Sequence, residues 1–355
     1  MSPVYLSGCA LASVLGLNLA QALDTLRQAA PVAPAHYALP GKGNGATPYC
    51  TIPYQAADWN ERACSLIRRV ASAAQAERAT RGALFIASSA GDTDAAVQGL
   101  RRMDFHGFAN RIAGWLNWQG PVYLVSTACT SSINALRGAA ELLRAGAVTD
   151  ALVLGLELDN HLTVPGFAGL QLLTPSTSKP FAKNRDGLML GEAVAALRLS
   201  THEVAPWQLL GGANVVDGTH ATGASAAAVA QMCCRALAAS GLASSQIDLI
   251  KVQAAGSASN DAAEAAGLRQ AFVDLPALVS MKPLIGHCMG AAGAAEIALL
   301  LACLEHGLWP RYADEADPAL GVRLAEHAPQ PVRRLLAAIL GFGGSHAAVV
   351  LEQLS

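Results

Sequence analysis

Charged side chains are scarce in this sequence. Aspartate, glutamate, lysine and arginine make up only 14% of the 355 residues, and the formal net charge is −2. Such a chain gives no electrostatic reason to expect nucleic acid or an anionic membrane as a partner. Hydrophobic residues, by contrast, make up 52%. The length allows two domains or one large duplicated domain, and the composition favours a large core or a large oligomer interface.

The cysteines lack the spacing of a metal site. There are eight of them, and their spacings fit no zinc pattern, because no C-x-x-C pair recurs. Most lie in apolar surroundings, as buried free thiols do. We therefore expect a reducing, cytoplasmic environment and no bound metal. The eight positions are Cys9, Cys50, Cys64, Cys129, Cys233, Cys234, Cys288 and Cys303.

The apolar N-terminus lacks the charges of a secretory signal. No lysine or arginine precedes Arg27, so the positively charged region of a signal peptide is missing. The segment "PVYLSG" instead predicts a strand that runs into a glycine turn. No later segment reaches the length of a membrane span without glycines or charges.

Apolar, strand-like runs alternate with alanine-rich helical patterns along the chain. This alternation predicts an α/β protein with buried, partly parallel sheets. Two series of elements look alike, so we predict a duplicated unit with halves at residues 1–203 and 204–355. Residues 31–60 and 310–330 are predicted to be irregular. The predicted strands are Val4–Leu6, Ala83–Ser88, Val122–Val125, Ala151–Leu156, Ala193–Leu199, Trp207–Val216, Leu249–Val252, Ala277–Ser280, Leu335–Leu340 and Ala347–Leu351. The predicted helices span 131–145, 224–239, 261–272 and 291–305.

A cysteine lies where a predicted strand meets a predicted helix. In "VSTACTSSINALRGAAELLRAG" (125–146), Cys129 precedes the helix that starts near Ser131. Unpaired N–H groups and partial positive charge at a helix start predict a lowered thiol pKa and a stronger nucleophile. The backbone N–H of Cys129 can also face an oxyanion formed by attack on a carbonyl. The alternative is a small hydrophobic residue that fills a tight turn.

Three further stretches carry candidate functional residues. "SMKPLIGHCMGAAGAAE" (280–296) holds Lys282, His287 and Glu296, and a histidine bracketed by glycines in this way indicates a positioned site. "LGFGGSHAA" (340–348) predicts a glycine turn that brings backbone N–H groups close to a ligand. In "KPFAKNRDGLMLGEA" (179–193), Arg185 and Asp186 predict a salt-bridged structural loop.

Four motifs together resemble those of the β-ketoacyl–acyl carrier protein synthases, condensing enzymes of the thiolase superfamily. "TACTSS" (127–132) is similar to their nucleophile motif, and "PFAKNRDGLMLGE" (180–192) is similar to their RDG turn. "KPLIGHCMGAAGAAE" (282–296) resembles their Lys–Gly-His block, and "GFGG" (341–344) matches their C-terminal turn. The motifs follow the family's order over residues 122–346 and leave mainly residues 10–80 without support.

The resemblance implies a duplicated, five-layered α/β/α/β/α fold, usually a dimer. It implies that Cys129 takes an acyl group from a carrier-protein thioester while the N–H groups of Cys129 and Phe342 hold the oxyanion. Two histidines would then stabilise the enolate left when malonyl-carrier protein loses CO₂, supported by Lys282 and Glu296. Phe342 resembles the gate residue of the acyl pocket, and substrate contacts are implied for Phe342, Gly343 and Ser257. No dissociable cofactor is implied, because phosphopantetheine arrives on the carrier protein.

The sequence departs from the family at the first histidine. The family has His-Gly-Thr-x-Thr where this chain has "QAAGSASNDAAE" (253–264), so Ala255 occupies the histidine position. Alanine cannot donate a hydrogen bond, and losing one oxyanion donor typically costs about 10²–10³ in rate. Ser257, Ser259 and His346 are the candidates to compensate, His346 standing where the family has asparagine.

These departures leave three hypotheses. The first is a chain-length-factor-like subunit that pairs with an active ketosynthase in type II fatty acid or polyketide biosynthesis, of the aryl-polyene kind. The second is an enzyme, an active β-ketoacyl-carrier protein synthase or acyltransferase, homodimeric or not, that uses Cys129 and His287. The third is a thiolase or other coenzyme A enzyme, against which the RDG turn and "GHCMGAAG" speak. In the first two, acyl carrier protein is a partner.

Overall fold

A computed structural model gives the fold of the chain. It describes residues 2–28, 34–39, 46–93, 104–160 and 162–354. Within these ranges, no helix combines the length and the apolar character that crossing a membrane requires.

The described residues form thirteen strands and nine α-helices. The strands are β1 (Tyr5–Ala12), β2 (Ala35–Ala38), β3 (Ala46–Cys50), β4 (Ala83–Ala87), β5 (Val122–Val125), β6 (Asp150–Glu157), β7 (Leu190–Gly191), β8 (Ala193–Ser200), β9 (Trp207–Val216), β10 (Leu249–Lys251), β11 (Ala277–Val279), β12 (Arg334–Leu340) and β13 (Ser345–Gln353). The helices are α1 (Leu19–Arg27), α2 (Trp59–Ala73), α3 (Phe105–Trp115), α4 (Ser131–Arg144), α5 (Thr163–Gly169), α6 (Ala226–Ser240), α7 (Ala258–Ala271), α8 (Lys282–Ile285) and α9 (Ala292–Glu305).

Local sequence signals explain where several helices begin and end. The Asp58 carboxylate accepts from the Glu61 N–H at the start of α2, and the Ser225 hydroxyl accepts from the Ala228 N–H at the start of α6. Such caps satisfy N–H groups that the helix itself leaves unpaired. Helix α6 ends at Gly241, whose left-handed φ of 68° favours glycine.

Ten strands form one sheet in which two five-stranded series share a topology. The order is β11-β10-β12-β13-β9-β1-β8-β6-β4-β5. In the first series β1 and β6 flank β8 antiparallel, and β6, β4 and β5 run parallel. In the second series β9 and β12 flank β13 antiparallel, and β12, β10 and β11 run parallel. The series meet at β1 and β9, and strands β2, β3 and β7 form a separate small sheet.

The helices and the two series of strands pack into five layers. Helices α4 and α9 pack in the middle, against strands of both series. Helices α2 and α3 cover the outer face of the first series, and α6 and α7 cover that of the second. The predicted five-layered α/β/α/β/α fold is confirmed. Helices cover both faces of the sheet, and β6 and β8 are therefore buried at every position.

The strands and helices predicted from the sequence all occur, with ends that shift by a few residues. The prediction that residues 31–60 are irregular is wrong where the structure describes them, because β2, β3 and the start of α2 lie there. The parts of that stretch at 31–33 and 40–45 lie outside the described residues. Helices α1, α2, α3, α5 and α8 were not predicted. The predicted boundary at residue 203 falls between β8 and β9 and stays a prediction.

Candidate active site

The loop after β5 positions the predicted nucleophile. Cys129 lies two residues before α4 and is 5% exposed. Ala128, just before it, has a φ of 52°, a left-handed conformation that few non-glycine residues adopt. The Thr130 hydroxyl donates to the Thr127 carbonyl at 2.6 Å, and the Ser131 hydroxyl donates to the Ala128 carbonyl at 2.6 Å. These bonds hold the thiol in a fixed position at the helix start.

A second loop brings a histidine to the thiol. The backbone N–H of His287 donates to the Met189 carbonyl at 2.7 Å, and its carbonyl accepts from the Gly191 N–H at 3.1 Å. Gly286 has a φ of 70°, and a Cβ there would lie 2.7 Å from the Leu190 carbonyl oxygen, so the turn requires glycine. His287 Nε2 lies 3.0 Å from Cys129 Sγ, although the two residues are 158 positions apart.

Burial makes the thiol and the imidazole neutral. It raises the pKa of the Cys129 thiol to about 11, although the Phe342 N–H, the Lys282 ammonium and the N–H of Cys129 itself act to lower it. Burial, with Lys282 and Lys251, lowers the pKa of His287 well below its ordinary value. The lowered thiol pKa expected from the helix start is therefore wrong: desolvation outweighs the helix N–H groups. Acyl transfer at neutral pH therefore requires the thiol to pass its proton to His287.

Two buried lysines share one glutamate beneath this pair. Lys282 Nζ donates to Glu296 Oε1, and Lys251 Nζ lies 2.6 Å from Glu296 Oε2. All three side chains are fully buried. The Glu296 carboxylate is thus fixed through both oxygens by the two lysines. The supporting role of Lys282 and Glu296 stays a prediction, and Lys251 was not among the predicted site residues.

The C-terminal glycine turn places a backbone N–H at the sulfur. The Phe342 N–H is close enough to lower the pKa of the Cys129 thiol, and its role as an oxyanion donor stays a prediction. Gly344 has a φ of 74°, and a Cβ there would collide with the Asp217 carbonyl oxygen. Gly343 is exposed, and its N–H donates to the Ala221 carbonyl at 2.8 Å. The structure therefore does not bring Gly343 to the thiol as a substrate contact.

A small cavity joins these groups. Its volume is about 20 Å³, room for roughly one water molecule. The rings of Phe342 and Phe167 stack at 5.2 Å between centroids and both line it. The gate role implied for Phe342 stays a prediction. The lining residues are Cys129, Phe167, Leu188, Gln253, Ala255, Ser257, Asn260, Asp261, Glu264, His287, Leu340 and Phe342.

Two buried carboxylates hold the segment that carries Ala255. Glu264 accepts from the backbone N–H groups of Gln253 and Ala254, each at 2.7 Å. Asp261 accepts from the Ala255 N–H at 3.2 Å. Burial raises the pKa of Glu264 to about 7 and that of Asp261 to about 6. The two carboxylates thus bind the backbone of this segment and not the side chain of residue 255. That side chain determines which chemical group faces the cavity.

The three proposed substitutes for the missing imidazole differ in position. Ser257 lines the cavity, whereas Ser259 is exposed and does not. His346 is buried, but it lies on β13 next to Ser345, whose hydroxyl contacts the Thr130 hydroxyl at 2.8 Å. Successive strand residues face opposite sides of a sheet. His346 therefore faces away from the thiol, and only Ser257 remains of the three.

The charged turn before β7 is structural, as predicted. Arg185 Nη1 lies 2.7 Å from Asp317 Oδ2, and Lys179 Nζ lies 3.0 Å from Asp186 Oδ2. The Thr174 hydroxyl also donates to Asp186 at 2.6 Å. None of these side chains lines the cavity.

Sequence reasoning missed three buried polar residues near the pair. Gln253 lines the cavity, and Lys251 lies two positions before it. Glu157, at the end of β6, accepts from the Ser88 hydroxyl at 2.7 Å and from the Gly290 N–H at 3.0 Å, and so ties β4 to the loop after His287. The sequence signal for Lys251 and Gln253 was their position at the end of a predicted strand, just before Ala255.

The duplicated layers and the buried cysteine at a helix start define a thiolase-like fold. Solved structures confirm it: a ketosynthase in complex with its chain length factor from Xenorhabdus doucetiae superimposes with a TM-score of 0.85 at 24% identity, covering 99% of this chain and 98% of that one. The ishigamide ketosynthase/chain length factor gives 0.87 at 23% identity, covering all of both chains. At these identities the likeness establishes the fold alone.

Family models identify the chain more closely. The β-ketoacyl synthase N-terminal domain matches residues 68–205, and the C-terminal domain matches residues 209–314. The chain therefore belongs to the β-ketoacyl synthase family.

Curated relatives agree with this assignment. The ketoacyl synthase alpha subunit of the tetracenomycin polyketide synthase from Streptomyces glaucescens is 30% identical over 66% of this chain and 61% of its own length. Erythronolide synthase from Saccharopolyspora erythraea is 32% identical over 69% of this chain and 8% of its own length. The chain spans less than two thirds of the length of these relatives.

Proposed function

We propose that this chain is a chain-length-factor-like subunit that pairs with an active ketosynthase in type II fatty acid or polyketide biosynthesis. One observation carries the proposal: Ala255 lines the cavity that holds Cys129 and His287, at the position where the family has its first histidine. The methyl group contributes no donor for a developing negative charge. Losing one such donor typically costs about 10²–10³ in rate, so malonyl decarboxylation by this chain alone is impaired.

The sheet offers an edge for a partner subunit. Strand β5 ends the ten-stranded sheet, and its Tyr123 side chain is 41% exposed. An open edge presents unpaired N–H and C=O groups that another strand can bind. We assign the ketosynthase partner, or a second copy in a homodimer, to this edge.

The proposed partners follow what related structures contain. Structures of similar fold include ketosynthases with their chain length factors, and one ketosynthase in complex with its acyl-carrier protein and a bound hexaketide. By analogy, this chain would meet acyl groups on the phosphopantetheine of an acyl carrier protein, with no dissociable cofactor of its own. Eight free cysteines fit a cytoplasmic location.

Co-expression with the ketosynthase encoded by a neighbouring gene tests this function. We expect an equimolar complex whose carrier-bound products are detected by mass spectrometry of the carrier protein. The Cys129→Ala variant should leave assembly and product length unchanged. Condensation of malonyl- and acyl-carrier proteins by the isolated chain at ordinary ketosynthase rates would refute the proposal.

A second candidate, an active synthase or acyltransferase, is favoured by one geometric observation. The thiol and imidazole lie 3.0 Å apart, within reach of proton transfer. This candidate predicts that Cys129 takes up acyl label from an acyl thioester and that the isolated chain then passes the label to an acceptor. An isolated chain that never releases the label excludes turnover.

A further inference from the structure

The cavity beside the thiol has the size of a site for one water molecule. Its volume is about 20 Å³, and Cys129, His287 and Ala255 all line it. A cavity of this size holds a water molecule when about two to four polar groups can bind that water. The methyl group of Ala255 binds no water, so the polar groups must come from the other side chains of the lining.

Two of the lining residues offer polar side-chain atoms. Gln253 is 7% exposed, and its side-chain Oε1 is buried with no hydrogen-bond partner among the described residues. Ser257 precedes α7, but within the described part of the chain its hydroxyl makes no capping bond to that helix. An amide oxygen accepts from a water O–H, and a hydroxyl donates or accepts. An ordered water is a common explanation for a buried acceptor that has no protein partner.

His287 provides a third partner, which can also act as a base. Its Nε2 lies 3.0 Å from Cys129 Sγ, and burial keeps the imidazole neutral by lowering its pKa. A neutral imidazole has one ring nitrogen that accepts a proton. When Nε2 has taken the thiol proton and passed it to the leaving group, the acylated sulfur has no S–H to offer. That nitrogen is then open to the O–H of a water molecule.

We propose that this chain has a further activity, the hydrolysis of acyl thioesters, in which a water bound by His287, Gln253 and Ser257 attacks the acyl group on Cys129. The class of substrate, a carrier-bound acyl thioester, rests on the proposed function, and the hydrolysis goes beyond it. Alanine at 255 favours this reaction, because impaired malonyl decarboxylation withholds the carbanion that would otherwise consume the acyl group. The products are a free carboxylic acid and a carrier protein without its acyl group.

The hydrolytic step balances without any further reactant. The water oxygen forms a bond to the thioester carbon of acyl-Cys129, and one water proton moves to His287 Nε2. The bond between that carbon and Sγ then breaks, and the Cys129 thiolate takes the proton back from His287. The carboxylic acid leaves and loses its second water-derived proton to solvent. Cys129 and His287 are thus both neutral again and ready for another acyl group.

Decay of the acyl-enzyme tests the proposal directly. The isolated chain is loaded with the decanoyl thioester of N-acetylcysteamine, freed of excess probe, and followed by intact-protein mass spectrometry in ¹⁸O-labelled water. We expect acyl-Cys129 to decay about 10²–10⁴ times faster than the free probe hydrolyses at the same pH, the range for a positioned general base. The decanoic acid released should carry solvent oxygen, and His287→Ala should lose the acceleration.

Variants of the cavity separate a bound water from a general loss of structure. Ala255→Val fills the cavity with methyl groups, and Gln253→Met keeps the side-chain length but removes the acceptor. Both should slow decay by about 10-fold or more, because the water is no longer positioned. Ser259→Ala, exposed and outside the cavity, should stay within about twofold of wild type. Decay is measured after loading, so slower acylation does not affect it, and unchanged alkylation by iodoacetamide shows that the thiol is in place.

Three results would overturn the inference. One is a wild-type acyl-enzyme no less stable than the free probe, or a wild-type chain that takes no acyl group at all. Another is decay of the Gln253→Met acyl-enzyme at the wild-type rate, which also decides the matter if Ala255→Val cannot be loaded. The third is release of decanoic acid by Cys129→Ala as fast as by wild type. The proposed function fails on a different observation, the absence of a complex with the ketosynthase, so the two failures are distinguishable.

Discussion

The reactivity of Cys129 with iodoacetamide should rise steadily with pH. The neutral thiol–imidazole pair means that thiolate forms only as the pH approaches the thiol pKa of about 11. The logarithm of the alkylation rate should therefore increase by about one per pH unit from pH 7 to 10, because only the thiolate reacts. A thiolate–imidazolium pair would instead give a plateau across neutral pH.

The expected rate at pH 7 follows from two opposing effects. An exposed thiol with a pKa of about 8.5 is about 3% ionised there, whereas a pKa of about 11 leaves ~0.01%, about 300-fold less. The more basic thiolate is intrinsically more nucleophilic by about 10- to 18-fold, from a Brønsted coefficient of about 0.4–0.5. Cys129 should thus react about 20- to 30-fold more slowly than an exposed cysteine, before any loss of access.

Peptide mapping by mass spectrometry provides the assay. Cys234, exposed on α6, serves as the reference thiol in the same sample. His287→Ala should change alkylation at pH 7 by less than about threefold, since a neutral imidazole supplies no charge, yet it should slow acylation by about 10²–10⁴, the range for a lost general base. A pH-independent alkylation rate between pH 6 and 8, abolished in His287→Ala, would refute the neutral pair.

Three further predictions concern the surrounding framework. Glu296→Gln leaves two buried ammonium groups without their carboxylate and should cost about 3–5 kcal/mol in the free energy of unfolding by denaturant; Glu305→Gln, exposed at the end of the same helix, should change it by less than about 0.5 kcal/mol. Burial lowers the pKa of Lys251 to about 8, so the unfolded chain binds more protons between pH 8 and about 10.5. The free energy of unfolding of wild type, relative to Lys251→Met, should therefore rise over that pH range. Gly344→Ala forces the turn away from the Asp217 carbonyl and should lower both acylation of Cys129 and stability, the latter by about 1–3 kcal/mol.

Each of these has an opposing outcome. Equal stability of the Glu296 and Glu305 variants would mean that water reaches Lys251 and Lys282 in the folded protein. A pH-independent difference between wild type and Lys251→Met would mean that Lys251 keeps its ordinary protonation when folded. Full activity and stability in the Gly344 variant would show that the turn tolerates a side chain and that the position of the Phe342 N–H is not critical.

Much of the fold could be predicted from the sequence, because buried strands and helices have recognisable patterns of apolar residues. Strands such as β6 and β8 consist mostly of apolar residues, and α4 and α9 repeat small and apolar residues at helical spacing. Helices α1, α2 and α3 were not predicted because they lie outside the segments that carry the family motifs. Strands β2 and β3 were missed because proline and glycine in their neighbourhood favour irregular structure, while pairing with each other and with β7 stabilises them.

The sequence by itself determined the residue types of the site: a cysteine at a helix start, a glycine-bracketed histidine, and alanine in place of a second histidine. Only the tertiary structure decided their states. It set Cys129 and His287 3.0 Å apart and buried both, so desolvation outweighs the helix start and keeps the thiol neutral. It also turned His346 away and Gln253 toward the cavity, because a side chain's surroundings depend on which strands and helices pack against it.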